Sequence, residues 1–171
     1  MLFRSKALVP VESLLYVHST LLVLKLPVLP TLLRCLITVA VRLKNVGKDL
    51  ADKLAAAEPA AAQQLAQAIE TAEQSIARMV GYADRPALTA AASNAYLQQM
   101  GLTLGAIGLA RAYLAAEAAQ KDDADGFGSS FYATQQHNAR VYCAHVLPQV
   151  YACAAQIENA QALLDVPLEL Y

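Results

Sequence analysis

Apolar residues recur at helical spacing once the chain passes residue 58. In the first such stretch they follow one another at intervals of four and three, at Leu65, Ile69, Ala72, Ile76 and Met79. This spacing places all five on one face of an α-helix. The sequence predicts that this helix opens at Glu58 and Pro59 and ends at Gly81, in the left-handed conformation that glycine adopts readily.

A second helix is predicted after a short turn. Asp84 is its predicted N-cap and Pro86 lies in its first turn, so the helix is expected to run to about Gln120. The acidic stretch KDDADGFGSS that follows is typical of a solvated loop. Ser129 or Ser130 is then predicted to cap the last long helix.

That last helix carries the densest group of reactive side chains, in FYATQQHNARVYCAHVLPQVYACAAQI over residues 131–157. Its predicted core stripe is Ala139, Cys143, Val146, Val150, Cys153, Ile157, Ala160 and Leu164. Because both cysteines fall on this stripe, we interpret them as small core residues and not as nucleophiles. Pro148 is predicted to kink the helix, since it cannot donate a hydrogen bond to Ala144.

The polar residues of this helix do not form a recognisable site. His137 and His145 lie eight residues apart, whereas zinc pairs on a helix usually lie four apart with an acidic third ligand. Both are predicted to be surface or partly buried residues. Arg140 is predicted to pair with a carboxylate between helices, such as Glu73 or Glu117. The open alternative is that Arg140 and Tyr142 together bind an anion or a partner. The sequence therefore predicts no catalytic, cofactor-binding or metal-binding residue.

Three glycines, Gly101, Gly105 and Gly108, lie within the second predicted helix in MGLTLGAIG. Small residues at this spacing let another helix approach closely, so a tight helix crossing is predicted there. A phosphate-binding loop is excluded because the glycines lie inside a helix with no strand before it.

Composition and charge narrow the class of protein. The 171 residues are 57% hydrophobic and contain no Trp, which predicts an all-α domain, an up-and-down bundle of three or four helices. A formal net charge of −1 gives no general case for nucleic acid binding. Residues 1–53 nevertheless hold eight Lys or Arg against three Asp or Glu, whereas residues 54–171 hold five against eleven. Three cysteines in no metal or disulfide spacing favour a cytoplasmic setting.

Residues 1–43 form a separate apolar, basic segment with no defined structural pattern. Its longest run without a charge is twelve residues, whereas a spanning helix needs about 20, so a membrane span is not predicted. Glu12 interrupts what would be the apolar part of a signal peptide. One hypothesis is that this segment is not native, because LFRS after Met1 is what the end of a common sequencing adapter encodes. Residues 44–171 would then be the helical bundle of a fragment.

Three short segments carry a family resemblance. They are NAYL at 94–97 with Gly101, the pair Phe131-Tyr132, and ARVY at 139–142 followed by LPQ at 147–149. Together they resemble the helical C-terminal domain found on one branch of the bacterial acyl-CoA dehydrogenases, often described as acetyl-CoA dehydrogenase-like C-terminal. The chain departs from that pattern in lacking a tryptophan in the first helix and in having Gln135 and Gln136 where a lysine is common.

The resemblance implies a non-catalytic role in packing or assembly. In that family a preceding core uses FAD to dehydrogenate the α,β bond of an acyl-CoA thioester. The implied parent is an oxidoreductase, with FAD in the parent enzyme and no cofactor in this chain. The implied partners are the dehydrogenase core and further copies in a homo-oligomer. The side that meets the core is expected to be exposed apolar surface, which favours self-association.

Two other classes of protein stay open. A stand-alone amphipathic helical protein that coats a membrane or granule surface would suit the Ala and Gln content. It would bind lipid or polymer surfaces without a dehydrogenase core. A small thiol or metal enzyme would require Cys143 or Cys153 to be exposed and reactive, contrary to their place on the core stripe.

Overall fold

The computed structural model describes residues 29–122 and 127–165, which form a helical bundle without a strand among them. Its helices are α1 (Leu29–Ala55), α2 (Pro59–Gly81), α3 (Pro86–Asp122), α4 (Ser129–Val141) and α5 (Gln149–Glu158). A π-helical turn, Tyr142–Val146, joins α4 to α5, and a 3-10 turn, Ala160–Leu163, follows α5. The predicted all-α bundle of three or four helices is confirmed, because α4 and α5 together form one interrupted fourth helix.

Short connections set the order of the helices. Residues 56–58 join α1 to α2 and residues 82–85 join α2 to α3, so consecutive helices run antiparallel. α1 lies along α2, and α3 lies along α4 and α5. Contacts of α2 with α3 and α5 join these two hairpins around one core. Of the predicted N-terminal segment, residues 1–28 lie outside the described residues, and α1 continues without a break through residues 43 and 44.

α2 matches its predicted boundaries but ends in a different conformation. All five residues of the predicted stripe are buried, and the helix begins at Pro59. It ends at Gly81, which does not adopt the predicted left-handed conformation. Tyr82 remains right-handed instead, and its N–H donates to the carbonyls of Arg78 and Met79. A tightened last turn therefore satisfies carbonyls that the helix end would otherwise leave unpaired.

The caps predicted for the next two helices are wrong. α3 begins at Pro86, so the residue in its cap position is Arg85 and not Asp84. α4 begins at Ser129, and its cap position is held by Gly128 at φ +83°, with no side-chain hydrogen bond to the helix end. Because a positive φ favours glycine, backbone conformation and not a serine hydroxyl starts this helix.

The π-helical turn changes which residues of the last helix face the core. Pro148 has no N–H to donate to Ala144, and the Leu147 N–H donates instead to the Tyr142 carbonyl, five residues back, at 2.9 Å. The wider turn rotates the following residues. Val146, predicted in the core, is only partly buried, and Leu147 takes its place with 2% of its surface exposed. The helix is thus interrupted where predicted, but the prediction for Val146 is wrong.

Beyond the π-helical turn the predicted stripe and the buried residues coincide again. Val150, Cys153, Ile157 and Ala160 are all buried. The stripe then stops, because a 3-10 turn replaces the α-helix. Leu164, the last predicted member, is 42% exposed.

Glycine permits close approach at two places in the bundle. A Cβ on Gly105 would lie 2.6 Å from the Tyr142 hydroxyl oxygen, and a Cβ on Gly47 would lie 2.5 Å from Cδ1 of Ile69. Both distances are shorter than nonbonded heavy atoms tolerate. Gly105 therefore makes room for the Tyr142 side chain, and Gly47 makes room for the Ile69 side chain between α1 and α2.

The two outer glycines of α3 do not take part in such a crossing. Apart from the adjacent backbone of α3 itself, no heavy atom of the described residues lies within 4 Å of the position that a Cβ would occupy on Gly101 or Gly108. Both residues are exposed. Within this chain, the tight helix crossing predicted at these two glycines is therefore wrong.

Candidate functional site

The two cysteines of the last helix lie in the core, as predicted. Cys143 and Cys153 are free thiols with 1% and 3% of their surface exposed. Burial raises the pKa of both thiols, because the charged thiolate would lose its hydration. The thiolate is the nucleophilic form, so the fold keeps both side chains in the unreactive state at neutral pH.

The histidines lie at the surface, which confirms their predicted position. His137 and His145 are both exposed. Across residues 29–122 and 127–165, no three His, Cys, Asp or Glu side chains come together as ligands for a metal ion. In the same part of the chain, none of the helices combines the length and the hydropathy that crossing a membrane would require.

Arg140 is the centre of a polar cluster that joins three parts of the bundle. Its Nε donates to the carboxylate of Glu58, just before α2, and its Nη2 donates to the Tyr113 hydroxyl of α3 at 3.2 Å. The guanidinium carbon lies 5.6 Å from the centre of the Tyr113 ring. Glu58, and after it Tyr113, raise the pKa of Arg140. The predicted pairing with an interhelical carboxylate is correct in kind, but the partner is neither Glu73 nor Glu117.

The carboxylates that were expected to meet Arg140 have other surroundings. Glu117 pairs with Lys121 one turn further along α3, at 3.1 Å. Glu73 has one buried carboxylate oxygen without a hydrogen-bond partner. Through its Nε and Nη2 atoms, Arg140 therefore holds α4 to the start of α2 and to α3.

A shallow groove lies where α4 begins beside the C-terminal part of α3. Its walls are Phe127, Phe131, Tyr132 and four alanines of α3, with Gln135 contributing an amide. The two phenylalanine rings lie 5.0 Å apart. FAD, which the resemblance assigns to the parent enzyme, does not fit this groove. The lining residues offer no cation for the two phosphates, and the Tyr132 hydroxyl is buried.

One side of α3 is apolar although it is exposed. Leu97 and Leu104 have 67% and 52% of their surface exposed. Gly101 and Gly108 lie on the same side, at a spacing of four and three residues. We call these four residues the outer face of α3. Because these residues follow one another along one side of the helix, they form a continuous apolar strip at the surface.

The opposite side of α3 contains buried polar residues that the sequence analysis missed. Gln99 and Thr103 are fully buried. The Gln99 Nε2 donates to the Val150 carbonyl of α5 at 3.2 Å, and the Thr103 hydroxyl donates to the Gln99 carbonyl at 2.9 Å. The available signal was position, because Gln99 continues the spacing of the buried alanines Ala92 and Ala95.

Comparison with known families identifies the bundle. The family model described as acetyl-CoA dehydrogenase C-terminal like matches residues 42–167. The matched region covers α2 to α5 and includes all three segments that carry the resemblance. No curated protein and no solved structure matches the chain. Since the matched region is well over half of the sequence, the chain belongs to the family of acetyl-CoA dehydrogenase C-terminal-like domains.

Proposed function

We propose that this chain is the non-catalytic C-terminal helical domain of a FAD-dependent acyl-CoA dehydrogenase and serves the packing or assembly of that enzyme. The observation that carries the proposal is the family match over residues 42–167. In the parent enzyme, flavin would supply the oxidation of the acyl-CoA α,β bond in a separate core. The helical domain contributes contact surface to that core.

The use of the reactive side chains supports a packing role. Cys143 and Cys153 fill the core, and Arg140 holds Glu58 and Tyr113. The polar groups that could have supplied chemistry therefore stabilise the bundle. What the domain presents to another molecule is the outer face of α3, which suits contact with protein better than chemistry on a small substrate.

The proposed setting is cytoplasmic, and the proposed partners are the dehydrogenase core and further copies of the enzyme. Two free thiols in one core favour a reducing compartment. The bundle surface has both signs of charge, including the exposed pairs of Lys53 with Asp49 and of Arg78 with Glu158. Nucleic acid is not among the proposed partners, because the formal net charge of −1 gives no general case for it.

Binding to a dehydrogenase core tests the proposal. The full 171-residue chain is co-expressed with a tagged acyl-CoA dehydrogenase core, and co-purification, flavin absorbance and acyl-CoA-dependent reduction of a dye are measured. An unrelated helical bundle of similar size is the control. We expect the chain to bind the core and, when alone, to hold no flavin and reduce no dye.

Two results would overturn the proposal. If the isolated chain retained flavin and reduced the dye, it would be catalytic. If the chain did not bind the dehydrogenase core but did bind vesicles of phosphatidylglycerol, it would be the stand-alone surface-coating protein that its composition also allows.

A further inference from the structure

We propose that the outer face of α3 is a two-fold interface, at which two copies of this chain pair with their α3 helices antiparallel. The inference rests on the proposed assembly role and specifies the surface that performs it. Its evidence is the order of large and small residues along that face, their exposure, and the position of the nearest charge.

The outward positions of α3 follow a regular seam over seven turns. They are Ala90, Asn94, Leu97, Gly101, Leu104, Gly108, Arg111 and Ala115, and all eight are exposed. The intervals alternate between four and three residues throughout, which is the spacing along which two helices pack side by side. The opposite side of α3 packs against α1, α2, α4 and α5, so the seam is a continuous strip that stays open to another molecule.

Large and small residues along the seam complement each other when the second helix runs in the opposite direction. With a two-fold axis between Gly101 and Leu104, each Leu97 faces Gly108 of the other copy, and each Leu104 faces Gly101. Every leucine then enters the space above a glycine, where no heavy atom of the chain lies within 4 Å. A parallel pair would instead place leucine against leucine and leave gaps between the glycines.

The polar ends of the seam favour the same orientation. In the antiparallel pair Arg111 faces Asn94 of the other copy, whose side-chain oxygen can accept a hydrogen bond from the guanidinium. A parallel pair would bring two Arg111 side chains together, and like charges repel. Residues 86–110 contain no Asp, Glu, Lys or Arg, so the centre of the contact buries no charge.

A second copy explains this pattern better than an unrelated partner does. A contact on a two-fold axis requires one surface to be complementary to itself, so a large residue on one side of the axis needs a small one at the equivalent position on the other. A docking site for the dehydrogenase core has no such requirement. The seam is self-complementary where each leucine faces a glycine, and again where Asn94 faces Arg111.

Charge substitutions at the centre of the seam test the interface. Sedimentation equilibrium of the full chain over a concentration series measures association, and circular dichroism checks the fold. We expect Gly101→Glu and Leu104→Arg each to weaken association at least tenfold. The double variant should recover most of the loss, because the two new charges meet across the axis only in an antiparallel pair.

A matched control separates this seam from general surface stickiness. Leu163 is 66% exposed, nearly the same as Leu97, but lies in the 3-10 turn after α5. Leu163→Arg should leave association unchanged. A chain that stays monomeric throughout, or one that associates equally well in all these variants, would overturn the proposal.

Disulfide cross-linking tests the orientation directly. Two single variants, Gly101→Cys and Leu104→Cys, are made in a background where Cys35, the third cysteine of the sequence, is replaced by serine. The other two, Cys143 and Cys153, are buried. Mixing the two variants should give far more cross-linked dimer than either variant alone. Preferential cross-linking of the Gly101→Cys variant to itself would show a parallel pair and contradict the proposal.

Failure of the α3 interface and failure of the proposed function give different experimental results. A chain that binds the dehydrogenase core but never pairs through α3 refutes this interface and leaves the proposed function standing. A chain that pairs as described but does not bind the core confirms the interface and refutes the role in that enzyme.

Discussion

The inner and outer sides of α3 reverse the usual placement of polar and apolar residues. The inner side buries Gln99 and Thr103 completely, whereas the outer side exposes Leu97 and Leu104 by more than half. Inside, each polar side chain donates a hydrogen bond to a carbonyl, although the buried Gln99 Oε1 accepts none from the described residues. The leucines have no comparable compensation in the monomer, and the proposed pairing of two copies would bury them. In an alanine-rich helix, hydrogen bonding and contact decide which side is inside, and polarity alone does not.

Removal of the buried amide should have the largest effect. Gln99→Ala leaves a cavity and removes the donor to the Val150 carbonyl, so the free energy of unfolding should fall by about 2–4 kcal/mol. Urea denaturation measures the change. Gln98→Ala, on the exposed side of the same helix, is the matched control and should change stability by less than about 0.5 kcal/mol. Equal effects at the two positions would contradict the assignment of the inner side.

Closing the space at Gly105 should have the next largest effect. A methyl group there meets the Tyr142 hydroxyl, which cannot move freely because it donates to the Leu102 carbonyl at 3.1 Å. Gly105→Ala should therefore lower the free energy of unfolding by about 1–2 kcal/mol, and less in a Tyr142→Phe background. Gly81→Ala, where a Cβ meets no atom, is the control and should be neutral or slightly stabilising.

Loss of the arginine that ties the inner side of α3 to α4 should have a smaller effect. Arg140→Ala removes the ion pair with Glu58 and the contact with the Tyr113 ring. Because the ion pair is partly solvent-exposed, we expect the free energy of unfolding to fall by about 1 kcal/mol. Thermal unfolding at low and high salt measures it. Arg140→Lys keeps the charge but not the planar fork and should recover only part of the loss. Arg111→Ala, on the outer side, should not change the stability of the monomer.

Polar substitution on the outer side should have the smallest effect on folding. Leu97→Gln removes apolar surface that is already 67% exposed, so the free energy of unfolding of the dilute monomer should change by less than about 0.5 kcal/mol. The measurement is urea denaturation at low protein concentration, where pairing makes no contribution. A loss as large as that of Gln99→Ala would show that Leu97 belongs to the core of the chain.

The sequence by itself determined the helical class, the extent and core stripe of α2, the burial of both cysteines and the interruption at Pro148. These features follow from local rules. The apolar period is a property of consecutive residues, and a proline lacks its N–H in every context. The segments at 94–97, 131–132 and 139–149 also identified the family before any contact was known.

Only the tertiary structure decided which groups meet. Arg140 pairs with Glu58, 82 residues away, and no local pattern distinguishes that carboxylate from Glu73 or Glu117. The π-helical turn packs against α2 and α3, and its wider backbone turn places Leu147 in the core. Of the three similar glycines of α3, Gly105 lies under the Tyr142 side chain, whereas Gly101 and Gly108 are exposed; outside α3, Gly47 lies against the Ile69 side chain. Each outcome depends on contacts between distant residues, which propensity and period do not contain.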